Sequence, residues 1–393
     1  MRATLEASLS TLFEPSPPKG VDSWLVVGTK RWARVMASEL CAFLPAETAI
    51  LMHGDPFDRG IQQWLIDSGL ENRIRIVGDF PDCPVSLTGV AFVVNSAHLH
   101  KTTVEAAMAA GYHVVGEKPL AFSRHEVCDL MDMAASLGLE LFSTNTYLFA
   151  GYLENFKCNW LSDRKFSRVR VAWTDPRHER RSGAEKSFDS GVPLIIDVLP
   201  HVANILLSTI GEFKAVPVSA EFCNGGSRAL LSYQSGELTI EVEMARNVSE
   251  RLRLIEFFSE NYKVSLDFSS EPGVIIENSA RGVPLDCDWT RSDRPLRAML
   301  LSIREFFSSG LLDPRLRCLA SLQGLDLIDG VIASYVESQL SLFSDRKNLL
   351  APRIRPADYA YAVKEVESLS TRVLPYLAEN HPLRPLIMQS NIT

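Results

Sequence analysis

The sequence predicts an α/β domain with a parallel, doubly wound sheet in its first 146 residues, followed by a region of antiparallel strands. Three observations support this fold class. Short apolar runs alternate with helix-spaced segments between residues 22 and 146, which is typical of right-handed βαβ units. The first run ends in a glycine turn that leads directly into a helix. Residues 215–268 carry short alternating runs separated by glycine-containing turns, which indicates an antiparallel meander.

The composition limits the classes of function. The chain has 393 residues, of which 46% are hydrophobic and 22% charged, so it can bury a sizeable core. The formal net charge of −8 argues against a general affinity for nucleic acid or anionic membranes. No apolar run approaches the ~20 residues that span a bilayer, and residues 1–20 lack the layout of a signal peptide. We therefore expect a cytoplasmic protein with a small polar substrate and neither a nucleic-acid nor a membrane partner.

The cysteines indicate a reducing compartment. Their count is odd and no pair forms a C-x-x-C motif, so neither a disulfide framework nor a metal site is predicted. The seven cysteines are Cys41, Cys83, Cys128, Cys158, Cys223, Cys287 and Cys318.

The predicted elements of the first domain follow one another closely. The strands cover residues 23–28, 48–52, 73–77, 89–94, 112–116 and 140–144. The helices cover residues 29–44, 59–68, 100–110 and 123–137. In such a sheet, ligands bind outside the carboxyl ends of the strands.

The turn after the first strand is a degenerate G-x-G-x-x-G/A motif, which predicts a dinucleotide-binding Rossmann domain. Gly28 allows the tight turn and Ala33 allows close packing of helix on strand, but Lys30 replaces the middle glycine. The start of the following helix can still bind an anion through its free N–H groups. Lys30 and Arg31 either add charge to that site or are solvated. The residues predicted to bind the cofactor here are Gly28, Thr29, Lys30, Arg31 and Trp32.

The end of the second strand predicts which dinucleotide is used. An acidic residue there favours NAD through the ribose 2′-hydroxyl, whereas basic neighbours accommodate the 2′-phosphate of NADP. Asp55 supports NAD, although it lies one or two residues late. His53, Arg59 and Arg31 support NADP. Both cofactors stay open, and NADP is the preferred hypothesis.

A longer motif covers residues 93–121. It contains Asn95, Ser96, His98 and His100, then a helix ending in Ala110-Gly111, then a strand ending in Glu117-Lys118-Pro119. In this order and spacing it resembles the glucose–fructose oxidoreductase, inositol dehydrogenase and rhizopine-catabolism superfamily (Gfo/Idh/MocA). Residues 191–201 are similar to the glycine-rich turn and Asp-x-x-x-His helix of that family, here Asp197 and His201, except that Val192 and Pro193 replace two glycines.

The resemblance spans residues 22–335 and implies an NAD(P)-dependent oxidoreductase. It implies a Rossmann domain at 22–146 and, at 147–335, an α+β domain with a large open antiparallel sheet. That sheet is often a subunit interface in the family, so we expect a homo-oligomer, a dimer or a tetramer. Helices at 294–307 and 315–335 close the domain. An N-terminal arm (1–21) and a helical C-terminal extension (336–393) lie outside the resemblance.

Hydride transfer requires a group that exchanges a proton with the substrate. Lys118 is the first candidate, since it would lie partly buried at the mouth of the cofactor cleft. His201 is the second, with Asp197 either contacting the substrate or holding the imidazole. The two residues are four apart, so both lie on one face of a helix. Tyr147 closes the sixth strand, where family members contact the substrate, and is a further catalytic candidate.

The resemblance also implies cofactor contacts around the nicotinamide. Glu117 is expected to orient the nicotinamide or its carboxamide, and the segment containing Asn95, Ser96 and His100 is expected to contact its ribose. Pro119 is expected to follow a cis peptide bond. The basic cluster of Arg177, His178, Arg180 and Arg181 is either a solvated loop or a lid for an anionic substrate.

The function predicted from these residues is hydride transfer between nicotinamide and a hydroxyl or ketone of a sugar-like or other polar metabolite. A second hypothesis is an NADPH-dependent imine reductase. It rests on a weaker similarity of the Gly28-Thr-Lys30 turn and the Asn145-Thr-Tyr147 segment to thiazolinyl imine reductases. A third is a non-catalytic regulator that senses a dinucleotide.

Overall fold

A computed structural model describes residues 20–344, apart from 163, 178, 182–183, 186–191, 224–225, 279, 281, 286–288 and 291–293. The expected N-terminal arm lies almost wholly outside these residues, as do residues 345–393 of the expected C-terminal extension. The Lys118–Pro119 peptide bond is cis, as the resemblance implied.

The first sheet has six parallel strands in the order β3-β2-β1-β4-β5-β6. These strands are β1 (Ser23–Val27), β2 (Ile50–His53), β3 (Ile74–Val77), β4 (Gly89–Val93), β5 (His113–Gly116) and β6 (Leu141–Ser143). Every residue of β4 is buried, as expected for a central strand covered on both faces. The strand order reverses between β1 and β4. The segments that follow these two strands leave the sheet at the same edge, where the strands have their carboxyl ends. The predicted α/β fold with a doubly wound sheet is confirmed.

Four helices flank this sheet, close to the predicted limits. They are α1 (Arg31–Phe43), α2 (Arg59–Ser68), α3 (His100–Ala109) and α4 (Arg124–Leu137). The side chain of Asp58 caps α2, and Ser123 forms a capping box with Glu126 at the start of α4. The start of α1 has no side-chain cap, so its first N–H groups are left for another partner.

The second sheet has eight strands in the order β10-β11-β12-β7-β13-β14-β15-β16. They are β7 (Arg168–Pro176), β10 (Val216–Cys223), β11 (Arg228–Ser235), β12 (Leu238–Val248), β13 (Leu252–Phe258), β14 (Lys263–Asp267), β15 (Val274–Glu277) and β16 (Val283–Pro284). A separate short pair is formed by β8 (Arg180–Arg181) and β9 (Ala184–Glu185). The alternating runs predicted within residues 215–268 form strands β10 to β14, and the predicted large, mostly antiparallel sheet is confirmed.

The expected uninterrupted meander differs from the observed topology. Strand β7 enters between β12 and β13, and it pairs parallel to β12 and antiparallel to β13. Strand β7 was not predicted from the sequence. Its residues Val169, Val171 and Trp173 nevertheless occupy every second position and face the core. This central strand brings Trp173 and Asp175 beneath the helix that carries the Asp-x-x-x-His pair.

The inner face of the second sheet packs against helix α6 (Leu194–Ile210), and α5 (Gly151–Phe156) lies beside it. Helix α6 is almost entirely apolar and contributes to the larger of the two cores. The outer face is lined with ion pairs instead. Arg170 binds Glu243 and Glu256, each at 2.7 Å.

The last described helices are α7 (Pro295–Ser309), α8 (Leu319–Asp329) and α9 (Ile332–Ser344). The single helix expected at 315–335 is therefore two helices, with a break at Gly330 and Val331. Helix α7 packs back onto the first sheet, where Phe307 lies edge-on to Phe142 with ring centroids 6.3 Å apart.

Among the described residues, no single helix has the length and apolar character needed to cross a bilayer. The bent pair formed by Leu319–Asp329 and Ile332–Gln339 passes that test only on length and composition.

Candidate active site

The turn between β1 and α1 is built around Gly28. Its φ of 127° lies in a region that L side chains rarely adopt, and an added Cβ would lie 3.2 Å from the backbone of Asn95. The backbone of the turn can therefore approach the end of β4 closely. The backbone N–H of Gly28 donates to the carbonyl of His53 at 3.2 Å, which joins the turn to the end of β2.

Lys30 lies at the N-cap of α1 and is exposed. Its ammonium group donates to the hydroxyl of Ser96 at 3.3 Å, so this side chain crosses from the glycine turn to the end of β4. Arg31 is the first residue of the uncapped helix. An uncapped helix start with two cations beside it is suited to an anion such as a pyrophosphate.

Trp32 connects this turn to the Glu-Lys-Pro segment. Its indole N–H donates to Oε2 of Glu117 at 2.8 Å, and the hydroxyl of Thr144 donates to the same oxygen at 2.5 Å. The Thr144 hydroxyl in turn accepts from the backbone N–H of Lys118 at 3.2 Å. Burial raises the pKa of Glu117, and the neighbouring Lys118 opposes that effect. Glu117 is thus fixed at the edge of the cleft through one of its two oxygens.

The end of β2 carries a histidine rather than an acidic residue. The ring of His53 packs 5.2 Å from the ring of Phe80, measured between centroids. The carboxylate of Asp55 is exposed and accepts from the backbone N–H of Phe57 at 2.8 Å. Asp55 therefore stabilises its own loop, whereas Arg59 starts α2 on the solvent side.

His100 is buried and Asn95 is half-buried at the end of β4. His100 is only 1% exposed, with Nδ1 2.8 Å from the carbonyl of Pro119 and Nε2 3.2 Å from that of Asn95. Burial lowers the pKa of His100, and a neutral ring donates to only one of these carbonyls. His100 thus braces two loops against each other. The amide of Asn95 donates to Thr103 at 2.8 Å, while its Oδ1 is buried without a partner among the described residues.

Lys118, which follows the first sheet's β5, forms an ion pair with Asp197 of α6. The Nζ atom of Lys118 donates to Oδ1 of Asp197 at 2.7 Å and to its backbone carbonyl at 2.9 Å. The other oxygen of Asp197, Oδ2, accepts from Arg246 at 2.8 Å. Arg246 comes from β12, is 1% exposed and also donates to the carbonyl of Val192 at 2.8 Å. The carboxylate of Asp197 is therefore held between two cations.

This arrangement fixes the protonation of Asp197. Burial raises the pKa of Asp197, but Lys118 and Arg246 together lower it well below its ordinary value. A carboxylate that stays ionised and uses both oxygens in ion pairs is a poor proton acceptor. Both oxygens of Asp197 are thus taken up by Lys118 and Arg246.

His201 lies one turn further along α6, as the spacing predicted. Its imidazole stacks on the indole of Trp173, with centroids 5.0 Å apart and planes 13° apart. Its Nδ1 is buried and has no partner among the described residues. Burial lowers the pKa of His201 well below its ordinary value, and Lys118 acts in the same direction. The ring is therefore neutral near pH 7.

Tyr147 completes the group. Its ring lies edge-on to His201 at 5.3 Å and to Trp173 at 5.7 Å, and its backbone carbonyl accepts from Ser208 of α6 at 3.1 Å. The structure thus brings together all four residues expected to be catalytic, namely Lys118, Asp197, His201 and Tyr147.

Three neighbouring residues were missed from the sequence, namely Arg246, Trp173 and Thr144. An arginine at the end of an otherwise apolar inner face was a usable signal for Arg246. Of the basic cluster after β7, Arg177 is exposed, whereas His178 and the side chains of residues 180–181 lie outside the described residues.

Comparison with known proteins identifies one family model that matches part of the chain. Residues 84–145 match the model of the family GFO_IDH_MocA, described as an oxidoreductase family with an NAD-binding Rossmann fold. The match includes Asn95, Glu117 and Lys118. No curated protein matches the chain significantly.

Solved structures share the fold at low sequence identity. UDP-N-acetylglucosamine 3-dehydrogenase GnnA from Acidithiobacillus ferrooxidans has a TM-score of 0.58 and 17% identity, covering 86% of this chain and 98% of its own. Biliverdin reductase from Synechocystis, solved with biliverdin and NADP+, has a TM-score of 0.61 and 17% identity, with 80% and 98% covered. The 3-ketoreductase KijD10 from Actinomadura kijaniata, solved with TDP-benzene and NADP, has a TM-score of 0.61 and 15% identity, with 79% and 96% covered.

Residues 84–145 therefore resemble the NAD-binding domain of the Gfo/Idh/MocA oxidoreductases, and the chain shares the fold of the solved structures.

Proposed function

We propose that this protein transfers a hydride between NADP and a hydroxyl or ketone carbon of a sugar-like or other polar metabolite. The observation that carries the proposal is the position of Lys118. Its ammonium group lies 2.7 Å from Asp197 at the mouth of the cleft, with the neutral ring of His201 one helical turn away. A fixed cation beside a neutral imidazole supplies a proton donor and an acceptor in one place.

The residues at the strand ends suit a dinucleotide. Gly28 leaves a space that any Cβ would fill, the start of α1 lacks a cap, and Oδ1 of Asn95 is a buried acceptor without a partner among the described residues. The first two features would hold the pyrophosphate, and Glu117 would face the nicotinamide. Once bound, the nicotinamide supplies the carbon that gives or takes the hydride.

The basic surroundings of the β2 end support NADP over NAD. His53 occupies the strand end where NAD-binding proteins place an acidic residue. The carboxylate of Asp55 already accepts a hydrogen bond from the backbone of Phe57. Arg31 and Arg59 begin the two helices on either side. These cations match a ribose 2′-phosphate better than a 2′-hydroxyl.

The proton transfer is assigned to Lys118. During reduction of a ketone, the ammonium group of Lys118 donates a proton to the substrate oxygen as negative charge develops there. Asp197, which stays ionised, keeps the ammonium group oriented and does not take up the proton itself. His201 accepts a hydrogen bond from the hydroxyl that forms. In the oxidative direction, the neutral amine of Lys118 takes up the proton of this hydroxyl.

We further propose a cytoplasmic homo-oligomer. The described cysteines are all free, and Cys41, Cys83 and Cys318 are buried, which suits a reducing compartment. The outer face of the second sheet is broad and combines ion pairs with half-buried apolar side chains such as Leu254. Such a face is suited to pairing with a second copy.

The test begins with the cofactor. NADPH and NADH are titrated into the purified protein by calorimetry, and we expect NADPH to bind in the micromolar range. If neither binds more tightly than about 1 mM, roughly −4 kcal/mol, the proposal fails. Turnover is then measured against a panel of polyols, nucleotide-linked sugars, their ketones and cyclic imines. Turnover of imines alone would replace the hydroxyl/ketone assignment with imine reduction.

A further inference from the structure

Two arginines are the largest fully buried side chains of the described residues. Arg246 and Arg253 are each 1% exposed, and both lie on strands of the second sheet next to β7. Removing a guanidinium group from water is costly unless it is paired. Arg246 is explained by Asp197, as described above. Arg253 binds neither Asp197 nor Lys118, so its position has another cause.

Arg253 is paired with Asp175 and packs on Trp173. It donates to Oδ1 of Asp175 at 2.5 Å and to the backbone carbonyls of Thr174 and Leu252 at 2.6 and 2.7 Å. Its guanidinium carbon lies 3.6 Å from the ring centroid of Trp173, a short cation–π contact.

The indole of Trp173 is fixed by two contacts, the guanidinium group of Arg253 on its face and the carboxylate of Asp175 at its N–H edge. Its indole N–H donates to Oδ2 of Asp175 at 3.2 Å, so one buried carboxylate binds both Arg253 and Trp173. The indole is 5% exposed and cannot rotate without breaking these contacts. The ring that this assembly fixes is the one on which His201 stacks.

Burial is the main cause of the lowered pKa of His201, and the charges around its ring act in both directions. Lys118 and Arg253 disfavour a positive imidazolium, whereas Asp197 and Asp175 favour it. Each of these carboxylates is already paired with a buried arginine, Asp197 with Arg246 and Asp175 with Arg253. The phenol ring of Tyr147 covers another side of His201.

We propose that Trp173, fixed by Arg253 and Asp175, is a positioning residue that holds the ring of His201 in one orientation and away from water, so that the ring itself carries no positive charge beside Lys118. The proposal deepens the proposed function and rests on it. Trp173 acts through His201 and does not touch the reacting atoms.

The test uses two substitutions of Trp173 and a matched control. Trp173→Phe keeps an aromatic surface, whereas Trp173→Leu removes it. Trp24→Leu is the control. Trp24 is 3% exposed and stacks on Phe92 in the core of the first sheet, whereas His201 lies on α6 against the second sheet. Circular dichroism establishes that each variant is folded. The titration of His201 is then followed by NMR of protein with labelled histidine, assigned with His201→Gln.

We expect wild-type His201 to remain neutral down to the acid limit of folding and to show the upfield ring-current shift of a stacked proton. In Trp173→Leu, the ring-current shift disappears and His201 titrates at a higher pH, since water then reaches the imidazolium. Trp173→Phe restores most of both effects, and Trp24→Leu leaves both unchanged. Titration of His201 in Trp173→Leu as in the wild type would overturn the proposal.

The kinetic counterpart is the acid limb of kcat/KM. We expect it to move to higher pH in Trp173→Leu, with a loss in kcat on the order of 10²-fold from misplacement of the ring and an unchanged affinity for NADPH. The NMR measurement needs no substrate, so it tests the role of Trp173 even if the proposed reaction is wrong. Failure of the proposed function would appear separately, as absent turnover by the wild type.

Discussion

The indole N–H of Trp32 donates a 2.8 Å hydrogen bond to the carboxylate of Glu117. This bond crosses the cleft from the first turn of α1 to the strand end that carries Lys118. The turn proposed to bind the pyrophosphate and the proposed site of proton exchange are therefore connected through one pair of side chains. We expect a substitution of Trp32 to change the position of Glu117, and a substitution of Glu117 to change that of Trp32.

Removing this donor tests the connection. We expect Trp32→Phe to weaken NADPH binding by roughly tenfold, about 1.4 kcal/mol, because Glu117 loses a donor that holds its carboxylate in place. Calorimetry measures the affinity. Trp64→Phe is the matched control, since Trp64 lies on α2 and packs against Arg34 rather than Glu117. Equal affinities for all three proteins would refute the role given to Trp32.

Lys118→Met tests the proton donor. We expect kcat to fall by about 10²–10⁴, the usual contribution of a general acid or base. The affinity for NADPH should change far less, because it depends on the glycine turn and the strand ends. Combined with His201→Asn, the loss should be less than additive if both residues serve one proton path. Near-wild-type kcat in Lys118→Met would move the proton transfer to His201 or Tyr147 and would favour imine reduction.

Arg246→Met tests the fixing of Asp197 between two cations. The substitution leaves Oδ2 of Asp197 and the carbonyl of Val192 without their donor, so we expect a loss of about 1–3 kcal/mol in the free energy of unfolding. Urea denaturation measures this value. Arg124→Met is the control, because the ion pair of Arg124 with Asp326 is half exposed and should contribute at most about 1 kcal/mol. Equal losses in the two variants would contradict the structural role of Arg246.

The neutral state of His201 predicts how stability depends on pH. Burial lowers the pKa of His201, so the unfolded chain binds a proton below about pH 6.5 that the folded protein does not. Stability therefore falls as the pH drops below that value. We expect His201→Asn to reduce this slope, by up to about 1.4 kcal/mol per pH unit.

Urea denaturation between about pH 5 and about pH 7 measures the slope. His125→Asn is the control, because the side chain of His125 is 86% exposed and should leave the slope unchanged. A slope in His201→Asn identical to that of the wild type would show that His201 titrates normally in the folded protein.

The outer face of the second sheet predicts self-association. We expect light scattering at micromolar concentration to give a multiple of the mass of one chain. Leu254→Glu places a charge among the half-buried residues of that face and should shift the population to monomers. A monomeric wild type would exclude this interface.

The sequence predicted the first sheet well because its signals are local. Apolar runs, helix spacing and the turn at Gly28 each lie within a few residues, and the spacing of Asp197 and His201 placed both on one face of α6. Arg246 and Trp173 could not be placed beside them in this way. Their positions depend on the entry of β7 between β12 and β13, which pairs residues about 70–90 positions apart in the chain.

The contacts of His100 also could not be predicted from the sequence. A histidine in a family motif suggested a cofactor contact, but its role depends on which carbonyls the folded loops bring to its ring. Only the structure shows that Pro119 and Asn95 occupy both ring nitrogens.

Helix α7 has a consequence for how the protein is made. It buries Met299, Ile303 and Phe307 in the core of the first sheet, against side chains such as Phe142. During synthesis, the nucleotide-binding half therefore cannot complete its core when β6 leaves the ribosome. The apolar surface that α7 covers therefore stays exposed until the second sheet and α7 have been translated. A fragment ending at residue 146 would lack the same surface cover and would be prone to aggregate.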